Sequence, residues 1–307
     1  MWVASISMQS STSSKQKQYN VNIDELIAYC SRLHLVSTVV SIAHILDFLA
    51  ELHSSGCRYR ALNTTRSAFP AYLAPEAEHK IGQHDLIKRF MKGVFEASPV
   101  VPRYSCIWKV QDVTSFLKTM APARSLSLKQ LTIKLLMLLA LVTGQRLQTL
   151  QALDLNMLNK VRHDWVFTFD VHLKHTRQSQ KVFNVTLTPY PADRRLCVVT
   201  YLNEYVSRTT SLRGAESRLF VSYVKPHRKV SRDTLARWLC TVLKSAGIDT
   251  TVFRAHSTRA ASTSHAAAKG VPMDEIMRFA GWTATGTFEK FYKKRICEST
   301  FQKEVLS

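Results

Sequence analysis

Ser127-Leu-Lys-Gln-Leu-Thr-Ile-Lys-Leu-Leu-Met-Leu-Leu-Ala-Leu-Val-Thr-Gly144-Gln-Arg146 is the stretch on which the reading of this chain turns. Ser127 to Val142 reads as one helix, and Gly144 is a natural terminator because it tolerates the left-handed backbone of a helix end. The apolar run Leu135 to Val142 is far short of the roughly 20 residues a membrane span requires. What the helix delivers at its end is Thr143-Gly144-Gln145-Arg146, an arginine set between two helices.

Upstream, Asp112 to Leu117 reads as a further helix, and Ser98-Pro-Val-Val-Pro102-Arg103 as a linker, since two prolines block helix and favour extended chain. Before it the pattern is helical from Val21 to about Ala97. Ile42, Ile45, Leu46 and Leu49 recur at three- and four-residue spacing, and Ser54-Ser55-Gly56 ends that helix. Leu86, Ile87, Phe90, Met91, Val94 and Phe95 form a second stripe. Residues 9–18 are polar and of low complexity, so a disordered lead is expected. Downstream, Phe167, Phe169, Val171 and Leu173 alternate with Thr168, Asp170, His172 and Lys174. A polar turn, His175 to Gln180, and a second alternating run, Phe183, Val185 and Leu187, complete a β-hairpin signal. From Asp233 the pattern is helical again.

The expected fold is mainly α with a small antiparallel β-hairpin, in two domains. The divisions are a lead at 1–19, a helical domain at 20–98, a linker at 99–104 and a mixed α/β domain at 105–307.

Forty-two Lys and Arg face 22 Asp and Glu, a net charge of +20. Such a chain repels itself unless an anionic partner neutralises it, and nucleic acid is the commonest such partner. A basic protein of membrane surfaces or ribosomes is the alternative on charge alone. The six cysteines, Cys30, Cys57, Cys106, Cys197, Cys240 and Cys297, show no C-x-x-C pair or zinc spacing and read as free thiols in a reducing compartment. The N-terminus has no secretory signal pattern, so an intracellular protein is expected, nuclear if eukaryotic.

Breaking a DNA phosphodiester without a metal calls for guanidinium forks on the non-bridging oxygens, an in-line nucleophile and a proton for the leaving oxygen. The chain supplies candidates in order. After Arg146 comes Ala255-His256-Ser257-Thr258-Arg259, whose i,i+3 spacing puts His256 and Arg259 on one helix face. Gly281-Trp282-Thr-Ala-Thr-Gly-Thr-Phe-Glu-Lys-Phe-Tyr292 comes last. Taken singly, each is more often a helix end, a chance pair or a core aromatic.

In combination they resemble the tyrosine recombinase (phage-integrase-like) family. Its pattern of Arg, hairpin Lys, His-x-x-Arg, Gly-His/Trp and Tyr falls on Arg146, Lys174, His256, Arg259, Trp282 and Tyr292. The apolar helix before Thr143, the run Leu150, Leu153, Asp154 and Leu155, and the passage from Ala266 to Trp282 match as well, over about residues 105–295. Gln145 to Leu150 and Trp282 to Tyr292 look most like recombinases of eukaryotic mobile elements, of the DIRS-like or Crypton kind.

The resemblance implies that Tyr292 attacks the scissile phosphate to form a 3′-phosphotyrosine and that Arg146 and Arg259 clamp the phosphate oxygens. Lys174 protonates the leaving 5′-oxygen, with Lys181 as runner-up. His256 handles the tyrosine proton or donates to phosphate, and the Trp282 indole donates to phosphate and closes the site. One ester replaces another, so neither ATP nor metal nor any other cofactor is needed. Double-stranded DNA and a homo-oligomeric synapse, dimer or tetramer, are the implied partners. A DNA core-binding role falls to the early helices, whose basic side chains Arg58, Arg60, Arg66, Lys88, Arg89 and Lys92 are the expected DNA contacts. A C-terminal tail bearing Ile296, Phe301, Val305 and Leu306 is expected to dock on a neighbouring protomer.

Three positions depart from the family pattern. Thr149 stands where an acid usually follows the first arginine by three residues. Trp282 and Tyr292 are ten residues apart where nine is common, and Phe291, at nine, has no hydroxyl. Ala260 stands where many relatives carry a second His. The competing readings are an element-derived DNA binder that no longer cuts, and a type IB topoisomerase-like activity.

Overall fold

The computed structural model describes residues 13–35, 40–72, 81–99, 104–169, 183–282, 286, 288–289 and 292–297. The chain divides into two compact units, Met1–Pro102 and Arg103–Ser307.

The first unit is helical: α1 (Ser13–Arg32), α2 (Ile42–Ser54), α3 (Tyr59–Tyr72) and α4 (Asp85–Ala97). Ser41 caps α2, its side chain accepting from the His44 N–H. The helices close on Leu26, Tyr29, Ile45, Phe48, Leu49, Leu62, Phe69, Ile87, Met91 and Val94. Two expectations are corrected here. Helix α1 begins at Ser13, within the stretch 1–19 expected as a lead, because the apolar Ile23, Leu26 and Tyr29 further along it pack into the core and order the helix. The stripe on α4 is narrower than its sequence pattern: Ile87, Met91 and Val94 are buried, but Leu86 and Phe95 are nearly half exposed.

The second unit is organised around α6 (Leu128–Thr143), which follows β1 (Cys106–Ile107) and α5 (Val110–Thr119). Ser127 and Gln130 form a reciprocal capping box at its start. Nearly every side chain from Leu131 to Leu141 is buried, and burying each Leu or Ile contributes about 1.5–3 kcal/mol. The helix therefore forms the centre of the core, not one wall of it. Its one buried charge is Lys134, whose Nζ donates to Leu117 O at 2.7 Å, Met120 O at 2.6 Å and Tyr201 Oη at 2.7 Å. Burial pulls the Lys134 pKa down to about 7.

After α7 (Leu147–Ala152) come β2 (Leu158–Val161), β3 (Asp164–Phe169) and β4 (Phe183–Leu187), an antiparallel sheet in the order β2-β3-β4. Trp165 faces Leu187 and Phe167 faces Val185. These side chains and Phe169 point to the core, while Val166 and Thr168 do not. The expected hairpin is thus two strands of a three-stranded sheet, and residues 170–182 between them lie outside the described residues. Helices α8 (Val198–Thr209), α9 (Arg232–Ser245), α10 (Ser257–Ala268) and α11 (Met273–Ala280) follow, then β5 (Arg295–Ile296). Tyr201 and Tyr205 are core residues as expected, but Tyr190 is about half exposed, at 49 %.

Strand β5 pairs in parallel with β1, Cys106 opposite Arg295 and Ile107 opposite Ile296. Cys297 N–H donates to Ile107 O at 2.6 Å. This pairing overturns the expectation of six free thiols: Cys106 and Cys297 form a disulfide, with Cα atoms 5.2 Å apart across a separation of 191 residues. Spacing rules look for cysteines near in sequence, and only the pairing of the two strands brings these together. In the chain-entropy account a bridge closing so long a loop contributes roughly 5 kcal/mol. Alkylating the denatured, unreduced protein is expected to modify four thiols, Cys30, Cys57, Cys197 and Cys240. Modification of all six cysteines before reduction would contradict the bridge. Ile296 packs against this chain's own core, which removes it from the tail expected to reach a neighbour. Phe301, Val305 and Leu306 lie outside the described residues.

Candidate active site

The end of α6 sets the first side chain of the site. Gly144 takes φ +56°, and a Cβ there would lie 3.3 Å from Thr263 Cγ2, so both the backbone and the space call for glycine. The turn sends the chain into Arg146, the N-cap of α7, and turns the Gly144 carbonyl towards α10. Arg259 meets it there: its Nη1 donates to Gly144 O at 2.6 Å across 115 residues. Gln145 fixes the other side of the turn through its Nε2 to Phe279 O.

Helix α10 carries the next two. His256 is its N-cap, and Ser257, Thr258, Arg259, Ala260, Ala261, Thr263 and Ser264 are buried. Trp108 Nε1 donates to Ser257 Oγ at 2.9 Å, which ties the start of α10 to the segment after β1. Arg259 is 2 % exposed. Its guanidinium carbon lies 4.1 Å from the centre of the Trp282 ring and 5.3 Å from that of Tyr292. Its Nε and Nη2 have no hydrogen-bond partner among the described residues.

Trp282 arrives by way of α11. Gly281, at φ +65°, ends that helix in the left-handed region, and the Trp282 N–H donates back to Met277 O at 2.9 Å. The ring packs among Ile276, Met277, Ala280 and Phe288, and its Nε1 is buried without a partner among the described residues. Tyr292 follows: the N–H groups of Tyr292 and Lys293 both donate to Phe288 O at 2.8 Å. The Tyr292 ring centre is 4.6 Å from that of Trp282, and its Oη is 3.1 Å from His256 Nε2.

The electrostatics follow from two cations in a crowded place. Burial first, then the neighbouring Arg146 charge, pull the Arg259 pKa down to about 9. His256 is exposed to solvent. Even so, desolvation, followed by the charges of Arg259 and Arg146, lowers its pKa from 6.5. The imidazole is therefore neutral at pH 7 and able to accept a proton.

The sequence matches the description "Phage integrase family" over residues 109–296, more than half of the chain. The chain belongs to the phage integrase family. It is a tyrosine recombinase enzyme. No curated protein matches. Among solved structures, XerH site-specific recombinase bound to difH substrate superposes with a TM-score of 0.64 at 14 % identity, over 95 % of this chain and 78 % of that one. A lambda integrase(75–356) dimer bound to a COC' core site gives 0.56 at 15 %, over 94 % and 92 %. The Tn1549 transposon integrase with transposon right end DNA gives 0.55 at 12 %, over 87 % and 84 %. At these identities the likeness is one of fold.

Within this recombinase, Arg259, Trp282, Tyr292 and His256 are brought together, with Arg146 close enough for its charge to be felt by two of them. Lys174 and its runner-up Lys181 lie outside the described residues. Thr149, in the place of the usual acid, is buried. Ala260 is buried too, at 1 %, against the main core. Of the six basic residues of the helical unit, Arg58, Arg60, Lys88, Arg89 and Lys92 are exposed and Arg66 is half-buried. Lys88 pairs with Asp85 at 3.0 Å and Lys92 with Glu96 at 3.6 Å. A cavity of about 980 Å³ lined by Arg124, Arg194, Arg195 and Tyr201 includes none of the site residues. Sequence reasoning missed Trp108, Ser257 and Ser264, whose contacts cross from 28 to 149 positions and leave no local pattern.

Proposed function

We propose that this tyrosine recombinase cuts and rejoins double-stranded DNA through a 3′-phosphotyrosyl bond to Tyr292, in the integration or excision of a mobile element. The observation that carries the reading is the Tyr292 hydroxyl 3.1 Å from a neutral-leaning His256, beside an arginine with two donors that lack a partner among the described residues. A phosphate bound there gives Arg259 Nε and Nη2 and Trp282 Nε1 the acceptors they lack, and its negative charge relieves the repulsion between Arg259 and Arg146.

Tyr292 Oη attacks phosphorus while its proton passes to His256 Nε2. Arg146 and Arg259 hold the non-bridging oxygens as charge builds on them. The bond from phosphorus to the 5′-oxygen breaks, and Lys174 supplies the proton that leaves a free 5′-hydroxyl. Attack by another strand's 5′-hydroxyl reverses the step, so each ester replaces another without an external energy source. The exposed Arg58, Arg60, Lys88, Arg89 and Lys92, with Arg66, contact DNA phosphates. Two copies or four assemble on the DNA, as in the lambda integrase dimer bound to a COC' core site and the tetramer bound to a Holliday junction. The mobile-element context rests on the sequence character of the stretches Gln145–Leu150 and Trp282–Tyr292.

The test is covalent capture. Nicked duplexes of random sequence are incubated with the protein, and protein-linked DNA is isolated after denaturation and sequenced. Enrichment of one site, with the DNA remnant mapped to Tyr292 by mass spectrometry, is expected. DNA binding with no adduct on any sequence would favour a binder that no longer cuts.

The His256 pKa, lowered from 6.5, fixes the sign of the pH dependence. The neutral imidazole persists to lower pH than usual, so the cleavage rate should fall on an acid limb centred below pH 6.5. His256→Gln should lower the plateau by about 10²-fold and erase the limb. A limb centred above pH 6.5 would contradict this role.

A further inference from the structure

The hydroxyl of Tyr292 is held at its tip by His256, but a long side chain is aimed mainly by the backbone beneath it. That backbone is fixed on both sides. Its N–H donates to Phe288 O at 2.8 Å, and Phe288 is fully buried. Its carbonyl accepts from Ser264 Oγ at 2.7 Å, and Ser264 Oγ in turn accepts from the Lys294 N–H at 3.0 Å. Ser264 is 3 % exposed and sits on α10, the helix that begins with His256 and carries Arg259. One hydroxyl thus ties residues 292 and 294 to the element that carries two other members of the site.

We propose that Ser264 is a positioning residue for strand cleavage: it sets the register of the Tyr292 backbone against α10, and through it the line of attack of Oη. The inference rests on the reading of Tyr292 as nucleophile. Only a hydroxyl both donates and accepts at one atom here; a methyl does neither. Without it the Tyr292 carbonyl and the Lys294 N–H lose their shared partner. A displacement of about 1 Å at a reacting atom costs on the order of 10²-fold in rate, and DNA phosphates contacted elsewhere are unaffected.

Three variants test this: Ser264→Ala, Ser264→Thr and Ser264→Val. The first measurement needs no DNA. Amide exchange at Lys294 should quicken at least about 10-fold in Ser264→Ala and in Ser264→Val, and stay near wild type in Ser264→Thr. The second uses the duplex enriched by covalent capture, at saturating concentration in single turnover. Ser264→Ala and Ser264→Val should cleave about 30-fold more slowly with DNA Kd within about 2-fold, and Ser264→Thr should recover to within about 3-fold of wild type. Cleavage by Ser264→Ala at the wild-type rate would overturn the proposal, as would equal rates for Ser264→Val and Ser264→Thr. Loss of rate and affinity in the same proportion would reduce Ser264 to a structural residue and also overturn it. Failure of the wild type to form an adduct counts against Tyr292 as nucleophile, and unchanged Lys294 exchange counts against the clamp, so the two failures are distinct.

Discussion

Replacing Tyr292 by Phe is expected to abolish the covalent protein–DNA adduct, lowering its rate of formation on the order of 10⁴-fold or more, while DNA affinity stays within a few-fold. The substitution removes one oxygen and keeps the ring. The ring is what packs at 4.6 Å from Trp282 and 5.3 Å from the Arg259 guanidinium carbon, so the site should retain its shape. What is lost is the atom 3.1 Å from His256 Nε2. Phe291 has no hydroxyl, and Tyr201 and Tyr205 are sealed in the core at 1 % and 0 % exposure, so none of these three can take over. Single-turnover assays on the captured duplex, with adducts resolved on a denaturing gel, give the rate directly. An adduct that persists in Tyr292→Phe would sink the assignment.

Arg259→Lys is expected to be nearly as damaging although it conserves charge. Arg259 divides its donors. Nη1 goes to Gly144 O, its face lies over Trp282, and Nε and Nη2 remain for a ligand. A lysine ammonium that reached the Gly144 carbonyl would have no planar fork left to match two phosphate oxygens. Loss of one such preorganised donor costs about 10²–10³-fold in the chemical step, and about 10³-fold is expected because the stacked geometry goes with it. Binding should change little, because the count of cationic groups near phosphate is unchanged. The measurement is the cleavage rate at saturating DNA set beside Kd from titration. A rate within about five-fold of wild type would show that charge alone is sufficient and that the fork does not matter.

Much of the site was legible because its members sit in short, ordered motifs. His256 and Arg259 share a helix face by spacing, Gly144 announces a helix end, and Tyr292 is chosen over Phe291 by chemistry. The mainly α fold with a small antiparallel sheet followed from apolar periodicity, as did the core alternation of Phe167, Phe169, Val185 and Leu187. Periodicity misled where it was not weighed against packing. Leu86 and Phe95 continue a stripe yet face solvent, and helix α1 starts at Ser13 in a stretch that looked too polar to fold.

The sequence by itself determined which chemical groups Tyr292, His256, Arg259, Arg146 and Trp282 bring, and in what order. Only the tertiary structure decided that Arg259 Nη1 is taken up by Gly144 O, why His256 leans neutral, and which hydroxyl holds the Tyr292 backbone. It also decided that Cys106 and Cys297 meet. The physical reason is the same throughout. Motif and periodicity report contacts within a turn or two of chain. Desolvation, shared hydrogen bonds and a bridge between distant strands arise from residues that are neighbours only once the core has closed.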